Sequence, residues 1–408
     1  MKNIIITLII LFSGLGLYAQ TLEDYFKIAA ENNPGLLSQY KDFEAALQKV
    51  PQVSTLPDPS FSFGYFVSPV ETRVGPQQAR FSLTQMIPWF GTLKAQGDAA
   101  TLMAEAKYQS FLDAKNKLYF DVSAAYFPLY ELKEWIKIEE NNIAILESYK
   151  TISNSKFKNG NGTLVDVLRV DIMLKEAKTN LAILNKKESP LKAAFNKLLN
   201  RVEMQPVVIA DSIVVEPVLL DYNKDALAID HPLLNSIDLK TKASEASERA
   251  AIKQGFPKLG LGLDYVSVGE RNDMTLVDNG KDVLMPMLTV TLPIFRGKYK
   301  AAVKEAQLIQ ESFLLQKNEI ANSLNSNYEM ALFDIRQQTD LVSLFDQQIE
   351  ESRQALNLLF TAYGNSGKDF EEVLRMQQQL LKYDKLKITA LSQYRIAMAK
   401  LDYITAKK

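Results

Sequence analysis

The chain carries one plan twice, and that duplication is the strongest constraint on its fold. "AAENNPGLLSQYKDFEAALQKVPQVSTLPDPSFSFGYF" near the start is answered by "LAIDHPLLNSIDLKTKASEASERAAIKQGFPKLGLGLDYV" in the middle. Pro34 and Pro59 stand 25 residues apart, as do Pro232 and Pro257, at a constant offset of 198. Downstream, "KFKNGNGTLVDVLR" aligns with "AYGNSGKDFEEVLR" at an offset of 206, pairing Phe157 with Tyr363, Asp166 with Glu372 and Arg169 with Arg375. The eight extra residues fall between Pro257 and Gly297, where a longer loop absorbs them. A repeat of this length requires the same succession of elements in both copies.

Each copy reads helix, strand, loop, strand, long helix, turn, helix. The strands are expected at about 60–68 and 78–88, and again at about 258–268 and 283–295. Phe61, Phe63, Tyr65 and Val67 alternate with small or polar residues, as do Phe81 and Leu83 against Ser82 and Thr84. Leu259, Leu261, Leu263 and Tyr265 oppose Gly260, Gly262 and Asp264, and Leu288, Val290 and Leu292 oppose Thr289 and Thr291. One face is apolar and the other small and polar, over about the ~9–11 residues of a tilted membrane strand.

From Thr92 to Lys156 and from Lys298 to Tyr363 the only proline is Pro128. Each segment is predicted to be one helix of roughly 95–100 Å at ~1.5 Å per residue, with Pro128 bending the first. Leu164 to Leu199 and Phe370 to Thr405 are predicted to run back as antiparallel helical neighbours after tight turns.

Composition removes most enzyme chemistry. Among 408 residues there is no cysteine and one histidine, so disulfides, thiol nucleophiles and Cys-based zinc or iron–sulfur centres are excluded. No catalytic set, cofactor site or metal site is expected. His231 stands before a proline and is assigned a structural role. The formal charge of −1 leaves no footprint for nucleic acid. Residues 1–19 have the make-up of a signal peptide, with a single lysine and an uncharged run from Ile4 to Leu17 that is too short to span a bilayer. The organisation expected is a signal peptide at 1–19, a first repeat at 20–206, a linker at 207–220 and a second repeat at 221–408.

Four strands with an apolar face have two open edges that lipid cannot satisfy, so the sheet must close with copies of itself. About eight strands is the least that closes, and twelve or more leave a lumen. That arithmetic leaves two, three or four protomers open.

The order of elements, the paired junctions "IPWFGTLKA" and "LPIFRGKYKA", and the turns "FKNGNGTLVDVL" and "AYGNSGKDFEEVL" resemble the TolC-type outer-membrane efflux proteins. "LPDPSFSFGYF" is also similar to members that serve heavy-metal pumps of the resistance-nodulation-division class. The resemblance implies a mainly α protein with a membrane β-barrel: a homotrimer whose four strands per protomer close a twelve-stranded barrel, continued by a coiled-coil α-barrel in the periplasm. It implies an exit duct in the outer membrane, partnered by outer-membrane lipid, a periplasmic adaptor and an inner-membrane transporter, with metal cations one candidate cargo. In the family the linker helps to form a belt around the helical barrel. The competing class is a periplasmic coiled-coil adaptor or scaffold without a pore.

Carried over by position, Asp166, Tyr363, Lys368 and Glu372 are candidates for closing the periplasmic end, with Phe157 beside them. Each has a plainer reading: Asp166 and Glu372 as acidic residues in the first turn of a helix, Lys368 as a solvated charge, Tyr363 and Phe157 as packing. Arg375 stands where the best-known relatives carry a second acidic residue. Gly160, Gly162, Gly364 and Gly367 mark turns that an adaptor could meet or that simply require turn chemistry. Pro88, Trp89 and Gly91, with Pro293, Phe295 and Gly297, form the two seams where strand passes into helix. There proline ends pairing, glycine lets the chain turn, and the aromatics sit at a membrane boundary or pack between barrel halves.

Overall fold

The computed structural model describes residues 21–210, 212–215, 231–275, 277–366 and 370–407. The expected signal peptide, Lys368 and Gly367 lie outside the described residues, as does part of the linker. In chain order the elements are α1 (Leu22–Asn32), α2 (Pro34–Ser54), β1 (Ser60–Thr72), β2 (Gly75–Ile87), α3 (Thr92–Lys158) and α4 (Leu164–Leu198). They continue with α5 (Pro232–Gln254), β3 (Lys258–Val268), β4 (Val283–Thr291), α6 (Gly297–Ser366) and α7 (Phe370–Ile404).

The helix that opens the first copy is divided. Asn33 precedes Pro34, whose ring disfavours helical backbone before it, and Asn33 leaves the helix at ψ 118. Its side-chain oxygen then accepts from Leu36 N at 3.0 Å, so that Asn33 ends α1 and starts α2. The long helices are α3, of 67 residues, and α6, of 70. Pro128 lies inside α3 and Pro190 inside α4 without ending either one.

Two compact units divide the chain. One draws on residues up to Ser38, Leu112–His231 and the chain from Asn322 onward; the other draws on Gln39–Phe111 and Pro232–Ala321. The second holds a four-stranded antiparallel sheet in the order β1-β2-β3-β4. Its register aligns Phe63 with Phe81, Phe81 with Tyr265 and Tyr265 with Leu284. The alternating pattern therefore continues across all four strands. Phe61, Phe63, Tyr65, Leu83, Leu261, Leu263, Leu288 and Val290 are 46–69% exposed on one face. An aromatic row crosses it, with ring centroids 5.1 Å apart for Phe63–Phe81 and 6.1 Å for Phe81–Tyr265. The opposite face carries Ser62, Arg80, Ser82, Thr84 and Asp264; the last is fully buried and paired with Arg80.

All four connections to helices leave one end of the sheet, near Ser60, Ile87, Lys258 and Thr291, and both hairpin turns lie at the other end. The first hairpin is longer than the sequence suggests, since β1 and β2 continue to Thr72 and Gly75. β4 is shorter and ends at Thr291, because Pro293 has no N–H to extend the ladder. The second hairpin loop folds onto the turn of the first: Gly280 N donates to Val74 O at 2.7 Å and Gly269 N to Pro76 O at 2.8 Å.

The helical unit is held by aromatic and polar layers. Tyr25 is fully buried against Phe195 at 5.0 Å. Its hydroxyl accepts from Val208 N at 2.8 Å, and that of Tyr126 accepts from Ala210 N at 2.8 Å. These bonds satisfy backbone donors of the irregular linker segment where it meets the helices. Ile213 and Val215, further along the linker, pack on Val342, Phe345, Ala390 and Leu391. Glu139, fully buried on α3, pairs with Lys385 of α7, and Gln377 Nε2 donates to Asn142 Oδ1 at 3.3 Å in the same layer.

His231 is buried edge-on to Tyr403, with ring centroids 6.3 Å apart. Burial lowers its pKa from 6.5 to about 4. The folded state thus binds fewer protons than the unfolded chain between those values, and stability present above pH 6.5 is lost as pH falls toward 4. We expect His231→Leu to flatten that slope, by up to about 3 kcal/mol at the acid end, in denaturation followed by far-UV circular dichroism. An unchanged slope would show that carboxylates alone set it.

Candidate functional site

The turn between α3 and α4 meets the end of α6 and the start of α7 in one cluster of the helical unit. In that turn, Asn161 N reaches Lys156 O at 2.9 Å and Gly160 N reaches Phe157 O at 3.1 Å. Gly160 holds φ at 75°, a value that side chains disfavour, which explains glycine there. Thr163 then caps α4: its hydroxyl accepts from Asp166 N at 3.2 Å, and Asp166 Oδ2 accepts from Thr163 N at 3.2 Å. This is a capping box, so the plainer reading of Asp166 has its geometry in place. Phe157 is 43% exposed and outside the core of the cluster.

Tyr363, the equivalent of Phe157 in the second copy, is buried. Its ring stacks on Phe370 with centroids 4.4 Å apart, and Leu146, Tyr149, Val170, Leu174, Val373 and Leu374 complete the core. Burial raises the Tyr363 pKa, and the negative charge of Asp166 raises it further. Its hydroxyl has no hydrogen-bond partner. A packing role is thus explicit, while the Asp166 charge is near enough to be felt.

Sequence reasoning missed the residue that ties the end of α3 to the end of α6. Lys156, at the end of α3, sends its ammonium over the Tyr363 ring at 4.7 Å and donates to the carbonyls of Tyr363 at 2.8 Å and Gly364 at 3.0 Å. These are carbonyls of the last turn of α6, where a cation meets both unpaired acceptors and the negative end of the helix dipole. The second copy has Ala362 at the matching position. That asymmetry, a lysine beside the aromatic in one copy only, was the available signal.

The acidic residues after the turns do not form one matched set. Glu372 pairs with Arg375 on its own helix. Arg169, the counterpart of Arg375, reaches instead to Glu371 at 2.8 Å and links α4 to α7. Lys150–Asp171 at 2.6 Å and Lys178–Glu147 at 2.9 Å join α3 to α4 in the same region. Gly162 makes a close approach to Lys156, since a side chain there would lie 3.0 Å from Lys156 Cβ; Gly364 faces open space.

The seams, in the sheet unit, differ from each other. At the first, Gly91 adopts φ 77° and Thr92 N bonds to Trp89 O at 3.0 Å, turning the chain directly into α3. Trp89 stacks on Phe256 of the second copy at 5.3 Å, which is the packing alternative for that residue. Gly297 needs no such freedom: it starts α6 without a positive φ, and a side chain there would meet nothing. At that seam the extra residue, Arg296, donates to Gly255 O at 2.9 Å. Pro88 is half-buried, Pro293 is half-buried, and Phe90 and Phe295 are strongly exposed.

Among the described residues no group of three His, Asp or Glu side chains is placed to hold a metal ion, and no helix is long and apolar enough to cross a membrane. No family model and no curated protein matches the chain. Solved structures do. CusC is 15% identical over 94% of this chain and 91% of its own, with a TM-score of 0.78. VceC of Vibrio cholerae, an outer membrane protein, is 15% identical over 94% and 95%, with a TM-score of 0.75. The open state of the MtrE outer membrane channel of Neisseria gonorrhoeae is 18% identical over 94% and 88%, with a TM-score of 0.74. Sheet, seams and helical hairpins together have the fold of the TolC-type outer-membrane channels.

Proposed function

We propose that this chain is one protomer of an outer-membrane exit duct, closed as a trimer, that conducts small solutes out of the periplasm as the last part of a tripartite pump. One observation carries the reading: an antiparallel sheet with an exposed apolar face, a small-polar opposite face, and β1 and β4 each paired on one side only. Lipid against the apolar face leaves the two free edges no partner but another copy. Three copies give twelve strands, enough for a lumen lined by the polar face. The coiled-coil adaptor reading does not account for such a sheet. The turns around Lys156, Tyr363 and Asp166 form the end that opens and closes, and meet the adaptor that couples the duct to an inner-membrane transporter. No step of this function needs a catalytic residue or a cofactor.

The test is fractionation with electrophysiology. We expect the protein in the outer-membrane fraction as a heat-modifiable oligomer that gives discrete conductance steps in planar bilayers. Recovery as a soluble periplasmic protein without such an oligomer would remove the reading. Cargo class follows from deleting the gene and profiling survival against metals, dyes and antibiotics.

A further inference from the structure

The end of the sheet that meets the helices is rich in positive charge. Strand passes to helix at 55–59, 88–91, 255–257 and 292–296, and with the adjoining ends of the helices and strands these joints cover 55–59, 88–96, 253–258 and 292–300. They contain Lys94, Lys253, Lys258, Arg296, Lys298 and Lys300 against the single carboxylate of Asp58, in a chain whose formal net charge is −1. The ion pairs of this unit use other residues: Lys41–Glu44, Arg80–Asp264, Arg271–Asp273, Lys281–Asp278 and Lys317–Asp238. Lys253 and Arg296 donate instead to the carbonyls of Phe90 and Gly255 at the seams, at 3.4 and 2.9 Å. Lys94, Lys258, Lys298 and Lys300 are exposed.

Large apolar side chains stand exposed on the same segments. Phe90, Ile294 and Phe295 are 72%, 75% and 84% exposed, more than the general run of the sheet's apolar face. Lys298 also lies over the Tyr299 ring, 4.9 Å from its centroid. Exposed aromatics beside cations outside those ion pairs suit the boundary of a bilayer, where rings enter the acyl region and ammonium and guanidinium groups stay at the level of the phosphates. Zwitterionic lipid offers such a ring of cations no net attraction. Anionic lipid does, at about fivefold in local partition for each cation near the surface.

We propose that this end of the sheet is a binding belt for anionic phospholipid headgroups of the leaflet that faces the periplasm, with Phe90, Ile294 and Phe295 in the acyl boundary and Lys94, Lys298 and Lys300 on the phosphates. The belt rests on the barrel reading, because a soluble protein would bring this end to no leaflet. It fixes the depth at which the sheet sits and therefore where the helices begin.

The experiment uses the full-chain oligomer in mixed micelles of phosphatidylglycerol and phosphatidylethanolamine, with retained lipid counted by mass spectrometry and conductance recorded on the same preparation. The wild type is expected to retain phosphatidylglycerol in excess, and high salt to erase the excess. Lys94→Gln, Lys298→Gln and Lys300→Gln together are expected to lower it by on the order of tenfold or more. The matched change at Lys175, Lys186 and Lys197 on α4 should leave it as it is. Equal retention of the two lipids by a conducting wild-type oligomer, or an excess that salt does not touch, overturns the belt while the channel stands. Absence of any conducting oligomer overturns both.

Discussion

Phe63→Arg is expected to remove the heat-modifiable oligomer from the outer-membrane fraction, while Ser62→Arg, one residue earlier, leaves it in place. The two side chains leave opposite faces of β1, since Phe63 aligns with Phe81 and Ser62 with Ser82. Phe63 is 59% exposed in the row that continues through Phe81 and Tyr265. An arginine on a lipid-facing position costs up to about 2–4 kcal/mol, the more the deeper it lies, and every copy in the proposed ring incurs it. The same residue at Ser62 projects from the face with Arg80 and Asp264, where polar groups are already accommodated. Heat modifiability on detergent gels and outer-membrane yield, measured for both variants, decide the matter. Equal loss, or no loss in either, would mean that the apolar face does not meet lipid.

The faces of the sheet were legible because a period of two leaves no choice: placing Phe61, Phe63 and Tyr65 together forces Ser60, Ser62 and Gly64 to the other side. The long helices were legible for the opposite reason, a lack of breakers, with Pro128 inside α3 without ending it. Turn chemistry was legible where it is local, as in the Thr163–Asp166 box. What stayed hidden depends on partners far apart in the chain. Lys156 acquires meaning only when α6 brings the Tyr363 and Gly364 carbonyls to it, 207 and 208 residues later. Arg169 and Arg375 are equivalent in the duplicated sequence, yet one bridges to Glu371 and the other folds back on Glu372. Duplication predicts matching backbones and leaves side-chain partners free to diverge.

Lys156→Met is expected to raise the leak of the duct more than neutralising Asp166 and Glu372 together. The lysine contributes two charge-assisted bonds to α6 carbonyls and a cation over the Tyr363 ring, all joining the end of the first copy's long helix to that of the second. Charge-assisted bonds contribute about 1.5–3 kcal/mol and an exposed cation–π contact about 0.5–1. Because the lysine is half-buried, a loss of about 2 kcal/mol is the fair expectation, roughly thirtyfold in a closed-to-open ratio. Methionine keeps most of the stem and its packing, which isolates the charge. Asp166→Asn, by contrast, keeps a side-chain acceptor in the capping box, and Glu372→Gln releases only an exposed pair with Arg375, a class that contributes little. Open probability in planar bilayers is the measurement, with the detergent-resistant oligomer and the far-UV spectrum as controls on folding. A Lys156→Met channel as tightly closed as the wild type would show that the link between α3 and α6 is a cap on α6 and nothing more, and would move the closing contact to another part of the helical hairpins.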